Sequence, residues 1–374
     1  MIVFIRLKML RTLLIIITLL VIILLGIYVH YLSSINSTFF IEDSIKEFLT
    51  SKVQEIFSKR NKAILDEKIE ILDGLYDKSL RNGQWAYEHE IKKMKYLHNW
   101  SHRQSVSFTK VDSQLLIRSV KEKGNGYILN ILASTEYEYV YLDSPEIKNT
   151  FRIGTYHSLD LMAKDDKFLI TKEWYTDPFA DSLLLDELKN EEIKKIILSG
   201  ENKDLSSLNE GRMKAVKYAD EFCGAASLPE YGFKYNPKYK NYNSLGGDCT
   251  NFASQVMHAG GFKRNDTWNY SNGSGSKAWV NAQAFKNYML YSGRASLITS
   301  GNYDKVLKAS YKLLPGDIIA YEKKGTIAHI SVITGIDSKG YALVNSHNSD
   351  RYKVPWDLGW NNKGIKFWLI HTHF

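Results

Sequence analysis

The spacing of apolar residues changes period at Ser105, and that change limits the fold more than any other feature of this sequence. Before it, Ile45, Phe48, Leu49, Val53 and Ile56 recur at helical intervals, and further helical stretches cover about 61–75 and 85–97. After it, alternating apolar segments at 106–111, 115–120, 127–133, 137–142, 153–163 and 168–175 read as strands. Turns such as Lys123-Gly124-Asn125-Gly126 and Lys164-Asp165-Asp166-Lys167 separate them. Helices first and antiparallel strands afterwards predict an α+β domain over 36–177. A charged connector, 178–210, with one short helix at 184–198, leads to a second α+β domain over 211–374.

The first 35 residues follow a different rule. Arg6, Lys8 and Arg11 precede a run from Thr12 to Ile35 without a charged side chain, and its centre, Leu13 to Val29, is nearly all Leu, Ile and Val. That length suits a transmembrane helix. The basic flank orients the N-terminus inside, so residues 1–35 read as the anchor of a single-pass cell-membrane protein with its later domains extracytoplasmic. A cleaved signal peptide shares the basic start, but the run is long for one and no small-x-small site follows it.

Charge sets the partners a chain like this favours. Of 49 Lys+Arg and 41 Asp+Glu, residues 211–374 hold 21 and 11, a balance of +10, which leaves −2 for residues 1–210. A basic extracytoplasmic domain suits an anionic wall polymer, and no nucleic-acid-binding motif is present. Two cysteines, Cys223 and Cys249, are too few for a disulfide framework, and the sequence is compatible with either free thiols or a single bond between them. His89, His98 and His102 lack the spacing of a metal-ligand set, so neither metal nor cofactor is expected.

Gly246-Gly247-Asp248-Cys249-Thr250-Asn251-Phe252-Ala253-Ser254-Gln255 places a cysteine after a glycine turn and at the head of an apolar-periodic helix. A thiolate there gains from unpaired backbone N–H groups and the helix dipole. Downstream, Pro315-Gly316-Asp317 opens a strand, and the strand 327–334 carries His329 among apolar residues, sharing a face with Ser331 and Ile333. Asn345 and His347 share a face of the following strand, 341–346 and its exit. A Cys249–His329 pair oriented by either of them makes a catalytic triad feasible. Asp248 reads as a helix cap rather than a titrating catalytic group, and Asn251 either holds the cysteine loop by hydrogen bonds or stands in solvent.

These segments, in this order, resemble the amidase type 6 family, which is similar to NlpC-type and CHAP peptidases with a papain-like fold. The resemblance covers about 211–374. It implies Cys249 as nucleophile, His329 as base, and Asn345 or His347 as the orienting group. The 36–177 domain looks cystatin-like or nuclear-transport-factor-like, with no motif of its own for a function. The expectation is a membrane-anchored cysteine hydrolase that cleaves amide bonds in peptidoglycan or peptides. Its rivals are an inactive papain-like module that binds wall or protein, and an amide or acyl transferase.

Overall fold

The computed structural model describes residues 17–26, 43–165, 167–179, 191–360 and 364–374. They belong to two compact units, 1–48 and 49–374. In the first, residues 17–26 form helix α1, and α2 (Asp43–Asp66) begins. Ten helical residues rise about 15 Å, roughly half a hydrocarbon core. Among the described residues no helix is long and apolar enough to cross a membrane. The rest of the expected anchor, 1–16 and 27–35, lies outside them.

In the second unit, α2 continues, followed by α3 (Glu70–Asp73) and α4 (Arg81–Gln104), then β1 (Val106–Lys123), β2 (Gly126–Tyr141), β3 (Ser144–Lys164) and β4 (Lys167–Tyr175). The strands are longer than the sequence suggested. Two predicted pairs, 106–111 with 115–120 and 127–133 with 137–142, are each one continuous strand. Their polar breaks are used inside the fold. Ser113 Oγ accepts from Asn61 Nδ2 at 3.0 Å and lies 2.8 Å from Thr135 Oγ1, while Arg152 donates to Ser134 and Glu136. Polar residues that would end an isolated strand therefore sit buried and bonded across neighbours.

The chain continues through α5 (Glu191–Leu198), α6 (Glu210–Glu221) and α7 (Cys249–Ala259). A small hairpin, β5 (Tyr270–Ser271) with β6 (Ser274–Gly275), precedes α8 (Lys277–Val280) and α9 (Ala282–Tyr291). Then come β7 (Ala295–Gly301), α10 (Tyr303–Ser310), β8 (Ile318–Lys323), β9 (Thr326–Ile336), β10 (Ala342–Ser346), β11 (Asp350–Pro355) and β12 (Ile365–Thr372). The predicted helix at 184–198 is described only from Glu191, since 180–190 lie outside the described residues. The stretch 211–226 is α6 followed by a separate turn at Gly224–Ala226.

One antiparallel sheet joins the early and late strands in the order β1-β2-β3-β11-β10-β9-β8-β12-β7, with β4 also paired to β3. β3 gives residues 157–164 to β4 and 152–154 to β11, with Gly154 opposite Asp350. A Cβ on Gly154 would stand 2.4 Å from the Ala225 backbone, so only glycine lets the Gly224–Ala226 turn close over this seam. Side chains reinforce the junction. Tyr139 and Tyr141 donate to Asp337 at 2.9 and 2.6 Å, and Arg103 of α4 pairs with buried Asp357. The chain is thus α+β, as its periodicity predicted, with one sheet serving both halves.

On one face of the late strands, α7 packs Phe252, Ala253 and Val256 against Ala320, Ile330 and Val332. Trp268, Trp279 and Phe285 extend this core. Trp279 is buried, in keeping with a structural role. β12, which carries Trp368, lies between β8 and β7.

Candidate active site

The turn before α7 requires its glycines. Gly246 and Gly247 have φ of +105° and +125°, and a Cβ on Gly247 would stand 2.2 Å from Asn348 Nδ2. Asp248 follows, and its side chain does something other than the predicted capping. Its side chain makes no capping bond to α7. Oδ1 accepts from the Tyr242 N–H and from Asn251 Nδ2, both at 2.8 Å, and Oδ2 lies 2.6 Å from His347 Nδ1. Its own N–H donates to Asn348. Asp248 therefore ties together the loop before α7, the helix itself and the loop after β10. Asn251 holds the cysteine loop as expected, donating also to the Lys240 carbonyl and accepting from Trp279 Nε1.

His347 stands on the α7 side. Its ring stacks on Phe252 with centroids 4.1 Å apart and meets Tyr235 edge-on at 4.5 Å. Phe252 is one turn beyond Cys249, on the same helix face. Nδ1 faces the Asp248 carboxylate, and Nε2 lies 2.7 Å from the Phe222 carbonyl. Through these two contacts His347 holds α6, α7 and the β10 exit together.

Asn345 is engaged elsewhere. Its Oδ1 accepts from Thr334 Oγ1 at 2.6 Å and from the Lys353 N–H at 2.8 Å, and its Nδ2 donates to Asp220. Burial pushes the Asp220 carboxyl up to about 6, against the opposing pull of Lys353 and Asn345.

Cys249 heads α7 and is 6% exposed. Both cysteines are free thiols. Burial pushes the Cys249 thiol above its ordinary value, opposed by a bond from the Ile330 backbone N–H and by the Thr250 hydroxyl. The thiol thus rests neutral against the α7 face of β9.

His329 occupies the opposite face. Its cross-strand partner is Tyr321, whereas Ile330 pairs with Ala320 in the core beneath α7. Its ring stacks on Trp360 at 5.0 Å and meets Tyr321 at 5.5 Å, and its buried Nε2 has no hydrogen-bond partner among the described residues. Burial, then the charges of Arg351 and His347, push it down to about 3. No hydrogen bond joins His329 to Cys249, Asn345 or His347 among the described residues. The structure pairs Asp248 with His347 beside the helix that Cys249 heads and leaves His329 on the other face of β9, with no hydrogen bond between Cys249 and either histidine among the described residues.

Three neighbours of this centre were not among the expected site residues: Asn348, Tyr235 and Asp350. Asp350 is buried, and three donors converge on its Oδ2: the Ala225 N–H at 2.8 Å, Tyr235 Oη at 2.6 Å and Tyr156 Oη at 3.5 Å. Burial pushes its carboxyl up to about 6, partly offset by His347 and by the Tyr235 bond. A raised carboxyl gives stability that is full below the unfolded value near 4 and lost as pH rises through 6. Asp350→Asn keeps one oxygen for all three donors and stays neutral. Between pH 4 and pH 8 the variant is expected to gain about 2–3 kcal/mol on the parent protein, read from urea unfolding at both pH values.

A cleft of about 1360 Å³ adjoins the centre, lined on one side by Trp85, Arg118, Tyr156 and Trp174 and on the other by residues 232–243 and Asn348–Asp350. Half of its wall thus comes from the first domain, where the sequence had offered no site. Among the described residues no group of three or more His, Cys, Asp or Glu side chains is placed to hold a metal ion.

Residues 209–370 match the family described as Putative amidase domain, and the chain therefore carries an amidase-like domain over that span. Uncharacterized protein YhbB of Bacillus subtilis (strain 168) is 31% identical over 153 residues, which is 39% of this chain and 43% of that protein. Uncharacterized protein YjcM of the same organism is 32% identical over 164 residues, 41% of this chain and 34% of its own length. The chain spans less than half the length of either relative. Among solved structures, the intermembrane space region of the chloroplast protein ARC6 aligns with 33% of this chain and 92% of its own, at 17% identity and a TM-score of 0.22.

Proposed function

We propose that the amidase-like domain hydrolyses amide bonds with Cys249 as nucleophile, and that His347, oriented by Asp248, is the histidine that serves it. The observation that carries this reading is the Asp248–His347 pair against the first turns of the cysteine helix. The reacting form of His347 carries its proton on Nδ1, toward Asp248, and leaves Nε2 bare. The Nε2 lone pair then repels the Phe222 carbonyl oxygen, and the ring edge is released toward the thiol. As Sγ bonds to the scissile carbonyl carbon, the thiol proton passes to Nε2. The imidazolium returns it to the leaving nitrogen as the C–N bond breaks, and water then hydrolyses the thioester and restores the thiol. Backbone N–H groups in the first turn of α7 suit the oxyanion.

The substrate we favour is peptidoglycan or its peptides, reached outside the cell by a protein anchored through its apolar N-terminal run. The basic balance of residues 211–374 supports an anionic polymer. The full chain incubated with purified peptidoglycan is expected to release new free amines. Cys249→Ala should lower that release at least about 1,000-fold, and His347→Ala at least about 100-fold. Equal release by Cys249→Ala sinks the thiol mechanism. A second reading, a wall-binding module without activity, is favoured by the buried, neutral thiol; it predicts peptidoglycan retention with no amine release by any variant. Product masses with and without an added amine separate hydrolysis from transfer.

A further inference from the structure

The wall that the first domain gives to the cleft has a chemistry of its own. Trp174 points outward from β4 and is 63% exposed, and Trp85 on α4 is 54% exposed with the Arg81 guanidinium 4.3 Å from its ring centroid. Large aromatic side chains left open to water on a concave surface lose free energy unless something covers them. An indole face carries negative charge density, which suits the weakly positive C–H face of a sugar ring.

The charges of the wall point the same way. Its carboxylates already have partners within the protein: Glu173 is held by Arg60 and His157, Asp177 lies 2.6 Å from His89, and Asp350 accepts from Tyr235 and Ala225. Lys234 has Glu221 at 3.6 Å. Arg118 is exposed and has no carboxylate partner among the described residues. The cleft therefore offers one uncommitted guanidinium beside two exposed indoles, Trp174 and the Arg81-stacked Trp85, and it reaches Asn348, whose side chain holds the N–H of Asp248 next to Cys249.

We infer that this cleft is a binding subsite for a carboxylate-bearing glycopeptide, in which Trp174 and Trp85 stack against sugar rings and Arg118 pairs with a free carboxylate of the attached peptide. The inference rests on the proposed amidase reading for its orientation, since the glycan would lead its attached amide toward Cys249. It does not need the chemistry to occur.

The test uses the full chain carrying Cys249→Ala and calorimetric titration with three probes: lysozyme-solubilised peptidoglycan fragments, neutral chitohexaose and poly-L-glutamate. The fragments are expected to bind at least fivefold tighter than chitohexaose, and poly-L-glutamate not to bind. Trp174→Ala should weaken fragment binding at least tenfold. Arg118→Gln, an exposed change that spares the fold, should reduce fragment affinity to the chitohexaose level while leaving chitohexaose unchanged. Unaltered fragment binding by Trp174→Ala, or poly-L-glutamate binding as tightly as the fragments, overturns the subsite. Glycan binding with these dependences, alongside no amine release by the parent protein, instead overturns the amidase reading and leaves the subsite standing.

Discussion

Replacing Asp357 with alanine is expected to destabilise the second unit by about 3–5 kcal/mol, because it strands a buried guanidinium. Arg103 and Asp357 are both buried, and the carboxylate also accepts from Trp100 Nε1 at 3.2 Å, Gln104 Nε2 at 3.3 Å and Tyr341 Oη at 2.9 Å. Trp100, Arg103 and Gln104 belong to α4, whereas Tyr341 and Asp357 belong to the amidase-like domain. Asp357→Asn retains an acceptor for the indole and hydroxyl but removes the countercharge of Arg103, so it should recover only a minor part of the loss. The paired change Arg103→Met with Asp357→Leu removes both charges together and should recover most of the loss. Urea unfolding of the single and double variants measures all three. If the shared sheet couples the two halves, each variant unfolds in one transition, and two separated transitions would show that the seam carries little energy.

That seam explains what sequence alone could and could not convey. Local rules found the helices, the turn before α7 and the α+β order, because each is written in residues close together: Gly246 and Gly247 for the turn, Phe252, Ala253 and Val256 for the helix face. The pairing of β3 with β11 unites residues about 200 apart, and nothing local in Gly154 or Asp350 encodes it. Ser113 and Ser134 read as strand breaks because their partners, Asn61 and Arg152, are distant in sequence or lie on another strand. The cleft was missed for the same reason. Trp174, with Lys172 and Thr176 two residues to either side, carries a sign of it only as a large aromatic on the polar side of a strand.

The site divides along the same line. Cys249 at the helix head, and the sharing of one face by His329 and Ser331 and of another by Asn345 and His347, followed from period alone. Alternation does not say which face of β9 meets α7. Bulges at Tyr321/Glu322 and Leu343/Val344 alter the parity between β8, β9 and β10, and they decide the matter. His329 and His347 consequently fall on opposite faces, and Asp248, which looked like a cap, becomes the partner of His347.

His329→Phe tests that placement through stability and activity together. Phenylalanine keeps a ring against Trp360 and Tyr321 and removes a buried nitrogen that has no partner among the described residues, so the cost at pH 7 should be small. The difference emerges in acid. His329 is pushed down to about 3, chiefly by burial, whereas the unfolded chain takes up that proton near 6.5. A depressed histidine gives stability that is full above 6.5 and is lost as pH falls toward 3. At pH 4 the parent protein has therefore lost about 3 kcal/mol that the variant never had, so between pH 7 and pH 4 the variant should lose about 3 kcal/mol less stability. Asp220 and Asp350 oppose the acid loss equally in both proteins. In the amine-release assay at pH 7, His329→Phe should stay within about threefold of the parent, because its ring faces away from Cys249. A residue acting as general base would instead cost about 100-fold or more. A loss of that size with parent-like stability at pH 7 would return the base role to His329 and require the thiol to reach across the edge of β9.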